Sequence, residues 1–125
     1  LGARIHVMDY MDATRAREAL GLHMNRFHET FDLLVTPTVP ILPFPVGQDV
    51  PDPGAQKIWT EWTPFSYPFN LTRQPAASLP CGLTSEGLPV GLQVIGPLYG
   101  DNLVLKACHA FESAQPFHEN KYLES

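Results

Sequence analysis

Apolar and polar positions alternate along this chain with two different periods, and the change from one to the other divides it into elements. Over residues 3–31, Ala13, Ala16, Leu20, Met24, Phe27 and Phe31 recur at spacings of three and four, the stripe of an amphipathic helix. Arg15, Arg17, Glu18, Arg26 and Glu29 fill its wet faces, and Asp9 or Asp12 is placed to cap its start. Residues 32–36, Asp-Leu-Leu-Val-Thr, read as a short buried strand that Pro37 stops. Farther on, Ala76–Leu79 and Val90–Ile95 are short apolar runs bounded by proline and glycine, with Gly82 and Gly87 in the turn-rich stretch between them. They predict a hairpin within residues 70–97. In its second strand Val90, Leu92 and Val94 share one face, and Gly91, Gln93 and Ile95 the other. The first face calls for a core. The second carries a glycine where something must come close and an amide that needs partners if buried.

Between the helix and the hairpin the pattern breaks down. Residues 37–57 hold six prolines with Gly47 and Gly54, which cannot sustain a regular backbone ladder and predict an ordered loop or extended crossover. Val39, Ile41, Leu42 and Phe44 are interleaved among those prolines, so the segment reads as packing on its own molecule rather than as a proline-rich ligand for another protein. Residues 58–69 then bring Trp59, Trp62, Phe65, Tyr67 and Phe69 within twelve positions. Such a cluster suits either plain core or the wall of an apolar pocket. Asn70, Ser78 and Gln93 read as structural polar residues, with Asn70 fixing the start of the strand that follows. Residues 101–115 form a last amphipathic helix, capped by Asp101, with Leu103, Ala107, Ala110 and Phe111 inward and Lys106, His109 and Glu112 outward. Residues 119–125 read as a polar tail.

The order helix, strand, loop, strand, strand, helix implies an α/β fold, a small mixed sheet with packed helices. At 125 residues with 44% apolar and 17% charged residues, the chain has a globular composition. A net charge of −5 with scattered basic residues argues against a nucleic-acid or anionic-membrane surface. Cys81 and Cys108 are too few for a disulfide scaffold and sit in apolar settings, which predicts buried reduced thiols. No apolar run is long enough to span a bilayer and no signal-peptide pattern opens the chain, so it reads as soluble and cytoplasmic. It opens on Leu1 close to a helical pattern, which reads as a chain preceded by a missing segment. His23, His28, His109 and His118 stand alone without metal-ligand spacing, and no metal or phosphate motif occurs, so no cofactor is expected.

Two blocks carry a resemblance. Asn70-Leu-Thr-Arg-Gln-Pro-Ala-Ala-Ser-Leu-Pro-Cys-Gly82 is followed by Gly87-Leu-Pro-Val-Gly-Leu-Gln-Val-Ile-Gly-Pro97. In this order and spacing they resemble the C-terminal region of the amidase signature family, serine hydrolases of carboxylic amides that include the A subunit of the tRNA-dependent amidotransferase. Tyr10-x-x-Ala13-x-x-x-Arg17 and Phe31-Asp-Leu-Leu-Val-Thr-Pro-Thr38 extend the likeness over nearly the whole chain. For Arg17, a buried ion pair and an exposed helix position are equal readings. One departure is Gln74, preceded by Arg73, where the family commonly has glycine before the proline.

The resemblance implies the tail of an α/β/α amidase fold. Its aromatic segment would line the acyl side of the cleft, making Trp62, Thr63 and Phe65 the candidate substrate-binding residues. In amidotransferases of this family an acidic residue usually stands seven positions before the Asn of the first block and holds the amino group of glutamine. Here that position is Thr63, and a neutral hydroxyl cannot pair a desolvated ammonium. The resemblance therefore leans towards amides of more apolar or aromatic acids, with a glutamine-dependent amidotransferase as the alternative and a non-catalytic interaction module as a third reading.

Family chemistry rests on a serine nucleophile, a second serine and a neutral lysine base, all in the N-terminal part of that fold. Lys57, Lys106 and Lys121 lie near no Gly/Ser cluster, and none of the serines sits in a Gly-x-Ser-x-Gly motif. No catalytic residue is assigned, and the chain alone is expected to be incomplete. Its partners would be the missing N-terminal part of the same protein, or a second copy meeting the uncovered apolar surface.

Overall fold

The computed structural model describes residues 2–117, so the expected polar tail at 119–125 and His118 lie outside the described residues. Three strands form one antiparallel sheet: β1 (Leu34–Pro37), β2 (Ala76–Leu83) and β3 (Pro89–Ile95), in the order β1-β3-β2. Helix α1 (Val7–Phe27) precedes the sheet, a short α2 (Tyr67–Thr72) lies between β1 and β2, and α3 (Asp101–Ala114) follows β3.

The hairpin of β2 and β3 is the frame. Leu79 pairs with Leu92 and Ala77 with Val94, so these four side chains share the face on which α3 lies. Leu79, Val94, Val104 and Cys108 form the buried cluster, flanked by Leu33, Ala77, Leu92, Ala107 and Phe111. The inward stripe of α3 is thus Val104, Ala107, Cys108 and Phe111, whereas Leu103 and Ala110, expected inside, are exposed. Leu103-Val-Leu105 offers three adjacent apolar residues, and the rotation of the helix about its own axis turns only the middle one onto the hairpin. Gly100, not Asp101, is the N-cap. Asp101 instead stands in the first turn, where its charge complements the helix dipole.

A bulge between Pro80 and Gly82 leaves Cys81 as the extra residue of β2. The connecting turn is closed by Thr84, whose amide donates to the Leu88 carbonyl at 2.9 Å and whose hydroxyl accepts from the Glu86 and Leu88 amides. Gly87, at φ 82°, supplies the left-handed residue.

Strand β1 departs from expectation. It is an edge strand paired with β3, and Val35 is 53% exposed because α3 crosses β2 and β3 and leaves this margin bare. Helix α1 is also less covered than its stripe implies. It begins at Val7 with His6 as N-cap, so neither Asp9 nor Asp12 caps it, and Asp12 pairs instead with Arg15 at 2.8 Å on the surface. No α1 side chain is buried. The helix runs beside α2, with Leu20 and Leu71 lining an open groove between them, while Phe27 stacks on Phe31 at 4.8 Å beyond its end. His28 Nδ1 lies 3.0 Å from the Phe31 carbonyl, and Arg17 is exposed.

Asn70 lies within α2, not at the start of a strand, and is exposed. Pro68 fits the first turn of α2 because the amide it lacks has no partner there. The helix ends on Arg73 in the left-handed conformation, φ 65° and ψ 24°, and Gln74 beside it is buried. The left-handed residue is thus Arg73, while Gln74, at the position of the family glycine, does not take a positive φ.

Both cysteines are free, Cys108 buried and Cys81 half-buried, its thiol 3.4 Å from the Val90 carbonyl. Burial pushes the Cys108 thiol up, and the Glu112 carboxylate adds to the shift. A raised folded pKa means this protonated thiol favours the fold below the ordinary thiol pKa, a contribution lost as pH rises through the raised value. In thiol-reagent labelling at mildly alkaline pH, Cys81 should therefore react first, and Cys108 only at a rate that follows unfolding. Equal rates at the two sites would contradict this.

Candidate functional site

The sheet face away from α3 carries a row of polar groups. Thr36, Gln93 and Ser78 lie side by side across the three strands. Gln93 is 6% exposed, and its amide donates twice, to Thr36 Oγ1 at 3.0 Å and to the Phe65 carbonyl at 2.8 Å. Thr36 in turn donates to the Pro37 carbonyl at 3.0 Å. Next along the strand is Gly91, whose carbonyl accepts from the Thr38 amide at 3.0 Å. A β-carbon on Gly91 would stand 2.7 Å from Thr38 Oγ1 and 3.2 Å from Ser78 Oγ. Those two hydroxyls bond each other at 2.6 Å. The glycine and the amide of β3 thus meet close neighbours, as the sequence pattern requires.

Beside this row opens a cleft of about 530 Å³. It is lined by the start of β3, Pro89 to Gly91, by the proline-rich chain from Pro37 to Phe44, and by Trp62, which Phe44 touches. The volume is that of a small-molecule site, and every lining side chain is apolar. Trp62 is fixed on two sides: Phe44 meets it edge-on at 5.3 Å, and its indole N–H donates to the Asp49 carbonyl at 3.1 Å. Trp62 closes the short 3-10 turn Trp59–Trp62, whose start Glu61 holds by accepting from the Lys57 amide at 2.7 Å. Val50 is buried and the Asp52 carboxylate accepts from the Gly54 and Ala55 amides, so the loop is built from specific contacts.

Of the three candidate substrate-binding residues, only Trp62 lines this cleft. Thr63 is 7% exposed, its hydroxyl 3.4 Å from the Trp59 carbonyl of its own turn. Phe65 is half-buried and enters the site through its backbone, as the acceptor for Gln93. On sequence pattern Phe44 and the prolines around it read as packing, and their alternation of rigid and apolar residues is the signal that also suits a cleft lining. A second groove, about 470 Å³, lies between α1 and α2 and is lined by Tyr10, Ala13, Arg17, Leu20 and Leu71 among others. Among the described residues no group of three or more His, Cys, Asp or Glu is placed to hold a metal, and no helix is long and apolar enough to cross a membrane.

The family model described as Amidase matches residues 2–105. The chain belongs to the amidase family. This amidase segment is 36% identical, over 88% of its length, to the A subunit of the glutamyl-tRNA(Gln) amidotransferase of Dehalococcoides mccartyi. Its fold superposes on the Thermotoga maritima counterpart of that protein with a TM-score of 0.76 at 32% identity, over 89% of this chain. It also superposes on a bacterial aryl acylamidase of the amidase signature family with a TM-score of 0.79 at 32% identity, over 92% of this chain. The segment spans 22% of the Dehalococcoides protein and 24% of each of the two solved chains, about a quarter of such a protein.

Proposed function

We propose that this segment is the C-terminal part of an amidase, a soluble cytoplasmic hydrolase of carboxylic amide C–N bonds, and that it supplies sheet scaffold and one wall of the acyl-binding cleft. The observation that carries this is the apolar cleft built from Phe44, Trp62 and the start of β3, against the strand that bears the family's second block. Amide cleavage needs an activated nucleophile, a base and oxyanion donors. Those fall to the rest of the protein, in line with the family's serine, serine and lysine. The segment's share is positioning: an apolar wall that removes the acyl group from water and sets its angle to the nucleophile. The first turn of α1, with Val7, Met8 and Tyr10 exposed, is where the remaining chain would pack.

A glutamine-dependent amidotransferase is the second reading, favoured by the 36% identity to the Dehalococcoides protein. Thr63 weighs against it, being neutral and buried with its hydroxyl directed at its own turn. The two readings separate on substrate. The full-length protein should hydrolyse an aromatic acyl amide in preference to glutamine, while the 125-residue chain alone should hydrolyse neither. Glutamine preference would establish the amidotransferase, and turnover by the short chain would overturn the assignment of the chemistry elsewhere.

Trp62→Ala should raise KM for the aromatic amide about five- to thirtyfold, since a lost aromatic contact of about 1–2 kcal/mol corresponds to that range. Trp62→Phe should recover most of it, because a ring still meets Phe44. Steady-state kinetics on the two variants checks this.

A further inference from the structure

The carboxamide of Gln93 ties together the two chain segments that meet at the cleft. Its NH2 holds the aromatic segment through the Phe65 carbonyl at 2.8 Å, three residues past Trp62. The same NH2 reaches the proline-rich segment through Thr36 at 3.0 Å, whose hydroxyl holds the carbonyl of Pro37, where that segment begins. The side chain is buried, so both protons go to these acceptors with little competition from water. A weaker tie runs alongside, from the Ser66 hydroxyl to the Thr38 carbonyl at 3.4 Å. We infer that Gln93 is a positioning residue that sets the width of the acyl cleft, and so its preference for bulky over small acyl groups. This rests on the reading of the cleft as an acyl pocket.

The test uses the full-length protein with two amides, one aromatic and one of a small aliphatic acid. Gln93→Leu keeps the bulk of the side chain and removes both donors. It should raise KM for the aromatic amide about tenfold, the scale of one buried hydrogen bond to a carbonyl. The kcat at saturation and the KM of the small amide should stay within about twofold, because the reacting groups lie elsewhere. Gln93→Glu adds a readout that a merely structural role would not move. A buried carboxyl has a raised pKa, so as pH falls from about 8 to 6 it gains a proton and with it one donor towards the Phe65 carbonyl. Its KM relative to the wild type at each pH should therefore recover on acidification, and that of Gln93→Leu should not.

A parallel fall of kcat for both amides, or an unchanged KM in a folded variant, would overturn the proposal. If the wild type hydrolyses neither amide, it is the acyl-pocket reading that fails. Gln93 is then judged by hydrogen exchange, which should quicken about tenfold in the peptide spanning residues 59–66 but not in α3. Should Gln93→Leu fail to fold, Gln93→Glu carries the same comparison.

Discussion

Truncating Ile95 to alanine should lower the unfolding free energy by about 2–5 kcal/mol, the range for a buried isoleucine whose surroundings relax only in part. Ile95 is 0% exposed at the end of the central strand, with Leu34 opposite it on one side and Ala76 on the other. Both neighbours are held by backbone pairing, and the next residue, Gly96, donates to the Pro75 carbonyl at 3.0 Å, so the backbone cannot close the cavity. Val35→Ala, on the exposed face of β1, is the control and should cost under about 0.5 kcal/mol, as for other solvent-facing sites. Urea unfolding of the two variants beside the wild type measures the contrast. Comparable losses would mean that the edge of the sheet is as well packed as its centre, against the exposure seen at Val35.

That contrast marks where the sequence is legible. Alternation along β3 anticipates Leu92 and Val94 in the core under α3, and on the other face the close approach at Gly91 and the amide that needed partners, because strand period is a local property; Val90, read with the core face, lines the cleft instead. The standing of β1 is not local. Asp32-Leu-Leu-Val-Thr36 reads as buried on hydrophobicity, but whether such a strand lies at the centre or the edge depends on strand order and on which strands α3 covers. Helix α2 escapes the pattern for another reason: Pro64 and Pro68 punctuate the segment like a loop, although Pro68 falls where a helix accepts it. At the site, the aromatic cluster is evident in the composition. Which of its members faces the cleft is decided by the 3-10 turn, which presents Trp62 and buries Thr63, and turns of that length leave no periodic trace. The prolines are conspicuous from the start, yet only the fold shows that they line the same cleft as an indole.

Gly91→Ala should destabilise the protein by about 1–3 kcal/mol, the usual cost of forcing an extra carbon into a filled space, and should disturb the cleft as well. The new methyl would lie 2.7 Å from Thr38 Oγ1 and 3.1 Å from Thr38 Cβ. Thr38 cannot simply rotate away, because its hydroxyl is bonded to Ser78 Oγ at 2.6 Å and its amide to the Gly91 carbonyl itself at 3.0 Å. Its neighbours Pro37 and Val39 line the cleft, so relief by backbone movement would shift the proline-rich part of the lining. Removing the hydroxyl separates strain from simple loss of contact. Thr38→Ala alone should cost about 1 kcal/mol for the broken hydrogen bond. In the double variant the alanine methyl at 91 moves into the space that Oγ1 vacates, so the two changes should be less harmful together than their sum, by about 1 kcal/mol or more, as expected for residues in direct contact. A four-member set of unfolding curves gives that coupling, and strict additivity would mean that the strain of the methyl lies against Thr38 Cβ and Ser78 Oγ rather than against the Thr38 hydroxyl. The same set read with the aromatic amide tests the link to the cleft. KM should rise in Gly91→Ala and fall back towards the wild-type value in the double variant, since what the methyl displaces is the strand end from which the proline-rich side departs.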